Sequence, residues 1–145
     1  MVFRSVKDFE TYVLKKTDNA VKKAQEKVYK ILDLYLQRFY NEYDPVVYER
    51  TYQLMKSLVK SDVRKVGNEV KAEVYFNLSY IYNTGANPSA EQVMAAADYG
   101  RHGAMGLAVA DFKGTSIWHE SLAMLDAEAI STLKNMLIAE GIPIR

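Results

Sequence analysis

The chain has 145 residues, no cysteine, 49% hydrophobic residues and a formal net charge of +1. That is enough chain for one domain that buries roughly two-thirds of its unfolded surface without cross-links, and the absence of thiols excludes disulfides, thiolate zinc sites, iron-sulfur clusters and a cysteine nucleophile. No apolar run resembles a signal peptide or reaches the roughly 18 residues of a membrane span, so the expectation is a cytoplasmic protein with no membrane contact.

Residues 5–44 organise the rest. Val6, Phe9, Val13, Thr17, Ala20, Ala24, Val28, Ile31, Tyr35 and Phe39 recur at intervals of three and four, uninterrupted by proline or glycine, which is the stripe a helix turns toward a core. Ser5 with Asp8 three residues on opens it as a variant capping box. Thr17, Asp18 and Asn19 have side chains that compete for backbone hydrogen bonds, so the sequence predicts a short helix over 5–16 and a long one over 18–42. Unbroken, the stretch would measure roughly 55 to 60 Å, longer than the about 35 to 40 Å expected of a domain this size. The surplus must overhang, bend or meet a neighbour. We therefore read residues 1–145 as one domain, with 1–17 a protruding or folded-back arm and 18–145 the core. Phe9, Tyr12 and Val13 of the arm have nowhere of their own to be buried and are candidate subunit-interface residues.

Lys16, Lys22, Lys23, Lys27 and Lys30 line the polar flank of this helix. They read as a solvated face or, alternatively, as a nucleic-acid surface, although no aromatic or Arg-rich loop joins them. Charge is unevenly spread: 15 basic and 10 acidic residues through Lys71, then 4 basic and 8 acidic. Ordinary scatter explains that, as does a subunit whose basic side meets the acidic side of the next copy.

Pro45 stops the helix. Five tyrosines fall between Tyr35 and Tyr52, a density that suits a packed corner or an interface hot spot; Tyr43, Tyr48, Arg50 and Tyr52 are the interface candidates here. Residues 58–66 and 69–77 read as a β-hairpin around Gly67-Asn68, since Val70, Ala72, Val74 and Phe76 alternate with Lys71, Glu73 and Tyr75. Val59, Ser61 and Val63 supply a thinner apolar face on the partner strand. Ser89 with Gln92 opens a short helix through Val93, Met94 and Ala97 that Gly100 closes. Residues 101–116 lack periodicity and read as an exposed loop. The last helix carries Trp118, Leu122, Leu125, Ile130, Leu133 and Leu137, is capped by Ser121 or Asp126, and ends at Gly141 and Pro143. Ile142 to Ile144 could form an edge strand. The fold class that follows is α+β: a long N-terminal helix and a C-terminal helix packed on a small antiparallel sheet.

Chemistry is harder to find. His102 and His119 are the only imidazoles, and with Asp98, Asp111 or Glu120 they match no compact metal-ligand spacing such as H-E-x-x-H. Phosphate-cradling and nucleophile-elbow patterns are missing. The sequence therefore predicts a non-enzyme with no catalytic residues, cofactor, metal or small-molecule substrate.

Taken together, Tyr43-Asp44-Pro45, Tyr48, Arg50-Thr51-Tyr52, Leu54, Ser57-Leu58, the hairpin, Arg101-His102-Gly103, Gly114-Thr115, Ile117-Trp118 and Gly141-Ile142-Pro143-Ile144 resemble the small head-tail joining or tail-completion proteins of tailed phages and prophages of Gram-positive bacteria. The resemblance covers the chain from about Tyr40 onward. It implies an α+β subunit that forms a homo-oligomeric ring with other phage neck or tail proteins, in the host cytoplasm during assembly and then in the virion. Trp118 joins the interface candidates on that basis. Nucleic acid is not an expected partner, and a small nucleic-acid-associated protein using the lysine face is the alternative reading.

Overall fold

Ser5 opens the first helix as its spacing predicts: its Oγ accepts from the Asp8 amide at 3.1 Å and its carbonyl from the Phe9 amide at 3.2 Å. The computed structural model describes residues 2–42, 52–81 and 117–144, without the side chains of Glu42, Ile117 and Trp118. Helix α1 spans Val6–Glu42 in one piece, about 55 Å at 1.5 Å per residue. The predicted break at Thr17 to Asn19 does not occur. Thr17 Oγ1 donates to the Val13 carbonyl at 2.9 Å, and the Asn19 amide reaches across to Glu140 at 3.4 Å. The Thr17 bond is one the helix accommodates within its own turn, and the Asn19 side chain is engaged by Glu140 rather than by the local backbone.

A short helix α2 (Gln53–Ser57) leads into strand β1 (Leu58–Lys60), followed by β2 (Arg64–Val66), β3 (Glu69–Lys71) and β4 (Val74–Phe76). All pairing is antiparallel. Leu58, Val59 and Lys60 face Phe76, Tyr75 and Val74, while Arg64, Lys65 and Val66 face Lys71, Val70 and Glu69. The two registers differ by one residue, so the expected hairpin carries a β-bulge in which Asp62 and Val63 oppose Ala72 alone. Ser61 closes the bulge, donating its amide to the Glu73 carbonyl at 3.0 Å and accepting from the Glu73 amide on its Oγ at 2.9 Å. At the tip, Gly67 takes φ +61 while Asn68 does not leave negative φ, the pattern of a type II′ turn.

The alternation of the second strand holds, with Val70, Ala72, Val74 and Phe76 half-buried between exposed neighbours. The thinner face of the first strand holds as well, with Val59, Ser61 and Val63 half-buried and Lys60, Asp62 and Arg64 exposed. The strand's fully buried residue is Leu58, not Val59, because directly opposed residues share a face and Leu58 opposes Phe76. The core is Leu32 and Leu36 of α1 with Leu54, Leu58 and Ile81. Both α1 leucines lie off the expected stripe. The stripe straddles two directions of α1: Val28, Tyr35 and Phe39 pack against the core cluster on the side of Gln25 and Tyr29, and by helix geometry Ala20, Ala24 and Ile31 fall on the side of Lys27, which reaches the last helix.

Helix α3 (Ile117–Ala139) covers that second face, antiparallel to α1. It ends as predicted. Gly141 sits at φ +85, its amide bonds the Ile138 carbonyl at 2.9 Å and the Ile142 amide bonds that of Leu137 at 3.0 Å, a Schellman closure. Residues 142–144 form no strand, and Pro143 among them has no amide to donate to a ladder. The fold class is thus the expected one: a long N-terminal helix, a C-terminal helix and a small antiparallel sheet.

Candidate functional site

The seam between α1 and α3 consumes much of the charge that the sequence displays. Lys16 (3.4 Å) and Lys23 both bind the Glu140 carboxylate, Lys27 binds Glu128 at 3.3 Å, and Arg38 lies 3.7 Å from Glu120. Lys27 also donates to Thr132 Oγ1 at 3.0 Å. The basic first part of the chain and the acidic last part therefore meet within one chain. Lys16, Lys23 and Lys27 are drawn into that seam rather than arrayed on an open cationic face.

Glu140 is the centre of the clamp. Its side chain is 9% exposed and receives Lys23, Asn19 and Lys16 from two successive turns of α1. The Lys23 hydrogen bond, helped by those from Asn19 and Lys16, holds its carboxyl below the ordinary 4.5 against the opposing pull of desolvation. A second link fixes the sheet. The Gln25 amide donates to the carbonyls of Ser61 at 2.8 Å and Glu73 at 2.9 Å, gripping both strands at the bulge. Beside it Lys60 lies over the Tyr29 ring at 4.6 Å and donates to Glu26 at 2.5 Å. That hydrogen bond lowers the Glu26 pKa.

Of its predicted stripe, α3 keeps Leu125 and Leu137 half-buried, and the rest of the side it buries is different. Ser121 and Thr132 are buried, and Leu125, Glu128 and Met136 are half-buried. Ser121 is consequently an interior residue, not a cap, and the helix begins four residues before it. Leu122, Ile130 and Leu133, expected in the core, are exposed, and so is Ile138. A helix apolar on nearly every side gives periodicity little to select from, and small residues at Ser121 and Thr132 let it approach α1 closely.

The predicted interface residues separate into three groups. Phe9 is half exposed, and Tyr12 and Val13 are half-buried. Phe3 turns back on this arm, 5.2 Å from Phe9 edge-on and 5.3 Å from Tyr12. The first ten residues of α1 run about 15 Å past the last α1–α3 ion pair, at Lys16. The arm is straight, not folded back. Tyr52 stacks on Tyr40 at 5.0 Å and is 42% exposed, while Tyr35, Phe39 and Tyr40 pack against the core. Its left-handed φ of 53° is the single such value at a non-glycine among the described residues. Tyr43, Tyr48 and Arg50 lie outside the described residues, as do the second capping box, residues 101–116 and His102. Trp118 lies in the first turn of α3, and its side chain is not described. Among the described residues no group of three or more His, Asp or Glu side chains could hold a metal ion, and no helix is long and apolar enough to cross a membrane.

Sequence reasoning missed Glu140, Gln25 and the outward face of α3. Glu140 had a usable signal, since an acidic residue just before a helix-ending glycine opposes the helix dipole and needs a cation from elsewhere. None of the curated proteins or solved structures compared with the chain matches it. The YomN family model matches residues 5–138, from the residue that caps α1 nearly to the end of α3. The family's name is that of a Bacillus phage- and prophage-associated domain, which suggests a phage-related protein. With almost its whole length matched, the chain belongs to the YomN family.

Proposed function

We propose that this chain is a non-enzymatic structural protein of a phage or prophage particle, a ring-forming subunit that serves head-tail joining or tail completion. Family membership supports the phage association. The observation that carries the assembly role is the arm of α1, a rigid helical projection with Val6 75% and Phe9 49% exposed. An isolated domain gains nothing by keeping such residues in water; a subunit with a neighbour does. The protein would be made in the host bacterial cytoplasm and carried into the virion, with other neck or tail proteins as partners and no substrate or cofactor. The nucleic-acid reading has less support, because Lys16, Lys23 and Lys27 are engaged by carboxylates of α3 or by Glu140 just beyond it.

The test is genetic and compositional. Prophage induction in a strain that carries the gene should yield particles containing the protein in several copies, and its deletion should yield separate heads and tails. Complete, infectious particles from the deletion strain, or particles free of the protein, would overturn the proposal.

A further inference from the structure

Burial and charge are divided unequally between the two sides of α1. On the sheet side, the buried cluster of Leu32, Leu36, Leu54, Leu58 and Ile81 joins α1, α2, β1 and the segment after β4. On the other side, the described side chains of α3 that are buried are Ser121 and Thr132, neither of them apolar. Leu125, which packs against the cluster, is half-buried, as are Met136 and Leu137. Across the seam α1 offers small residues, a buried Ala20 and a half-buried Ala24. Charge supplies much of the remaining hold. Lys27 pairs with Glu128 and Arg38 with Glu120, all four side chains being about half exposed, while Lys16 and Lys23 grip Glu140, which is 9% exposed.

We propose that α3 is a latch, opening from α1 as one unit while α1, α2 and the sheet stay folded, and that the pairing of Glu120, Glu128 and Glu140 sets how often it opens. Segments with few buried apolar contacts open at the lowest free energy. Lifting α3 uncovers, among the described residues, an alanine, a serine and a threonine that were buried, whereas unfolding the rest uncovers five buried aliphatic side chains. Ion pairs as exposed as Lys27 with Glu128 and Arg38 with Glu120 hold weakly. Opening also returns four cations of α1 and three carboxylates to water, so salt, which screens their attraction, favours it. The firm point is Glu140, because it is nearly buried and takes hydrogen bonds from Lys16, Asn19 and Lys23. The latch belongs to the free chain as much as to any particle, and it gives the chain one movable helix on a rigid frame.

Native-state amide exchange of the full chain, followed by NMR at one pH across low denaturant concentrations, reads each opening separately. The amides of Leu125, Thr132 and Met136 should exchange through an opening at least about a hundredfold more populated than the one that exposes Leu36 and Asn77, and with a smaller denaturant slope. The Asn77 amide reports on the frame because it bonds the Ser57 carbonyl at 2.7 Å. Raising sodium chloride from about 0.02 to about 0.5 M should populate the α3 opening about tenfold more. Glu140→Gln, which removes the charge that Lys16 and Lys23 grip, should do so about tenfold, and Lys27→Gln, at an exposed pair that leaves the fold intact, about threefold. Two results overturn the proposal. One is a single free energy and a single slope shared by α3 and frame amides, which makes the chain one cooperative unit. The other is an α3 opening that neither salt nor either substitution moves, which shows that charge does not hold it.

Discussion

Leu34 and Leu36 stand two residues apart on α1 and, replaced by alanine, should behave as if they came from different proteins. Leu36 is 1% exposed and packs in the cluster with Leu32, Leu54, Leu58 and Ile81, where α1, α2, β1 and the segment after β4 converge. Leu34 is 65% exposed. Truncating Leu36 withdraws three carbons from a filled interior, about 2.4 kcal/mol at 0.8 kcal/mol per carbon. The cavity left behind adds about 1 to 2 kcal/mol, because residues drawn from several separate elements collapse only in part. The expected loss is about 3.5 to 4.5 kcal/mol, or roughly 10 to 15 °C in melting temperature for a chain of this length. The same truncation at Leu34 should stay within about 0.5 kcal/mol, as alanine is also the better helix former. Urea unfolding followed by circular dichroism, with equal m-values, separates the two. A Leu36→Ala loss below about 1 kcal/mol, or one equal to that of Leu34→Ala, would refute the placement of the core.

Other expectations follow from the links between elements. Gln25→Ala strips both bulge carbonyls of their shared donor and should cost about 1 to 2 kcal/mol, with faster hydrogen exchange near Ser61 and Glu73 than at the start of α1; uniform exchange across the chain would contradict the link. Glu140 has a folded pKa below its ordinary 4.5, so its clamp contributes in full above that value and is lost as pH falls through the lowered one. The stability gap between the parent and Glu140→Gln should therefore be widest near neutral pH and narrow below about pH 4.5, and a gap constant with pH would show that the charge is not what matters. Gly141→Ala should cost about 1 to 2 kcal/mol from the left-handed φ of +85 alone, as a Cβ there would meet nothing within 4 Å. A neutral outcome in thermal unfolding would mean that the chain turns differently after α3.

Much of the local structure was legible because it depends on residues close in sequence. The Ser5 cap, the turn at Gly67, the alternation from Val70 to Phe76 and the closure at Gly141 each involve a few neighbours whose conformational preferences coincide with their places in the fold. The errors arose where a side chain finds its partner far along the chain. Thr17 to Asn19 looked like a break because nothing nearby revealed that Asn19 would bond Glu140. Leu32 and Leu36 lie off the stripe because α1 has two buried directions, one for the sheet and one for α3, whereas a single stripe marks only their bisector. The candidate site was half legible: the length of α1 signalled a projecting arm, but the seam that fixes where it begins joins residues more than a hundred positions apart.

The sequence by itself determined that this protein has a helix too long for its domain, a small antiparallel sheet and a second helix ended by glycine. Those features follow from periodicity, caps and turn residues, all set within a few residues of one another. Only the tertiary structure decided which side of the last helix is inside. Leu122, Ile130 and Leu133 are as hydrophobic as any core residues, but α1 and α3 are held by Glu140, Glu128 and Glu120 meeting Lys16, Lys23, Lys27 and Arg38. On a helix apolar on nearly every side, Ser121 and Thr132 are the residues buried, with Leu125 and Met136 half-buried, and Ile130 and Ile138 stay exposed.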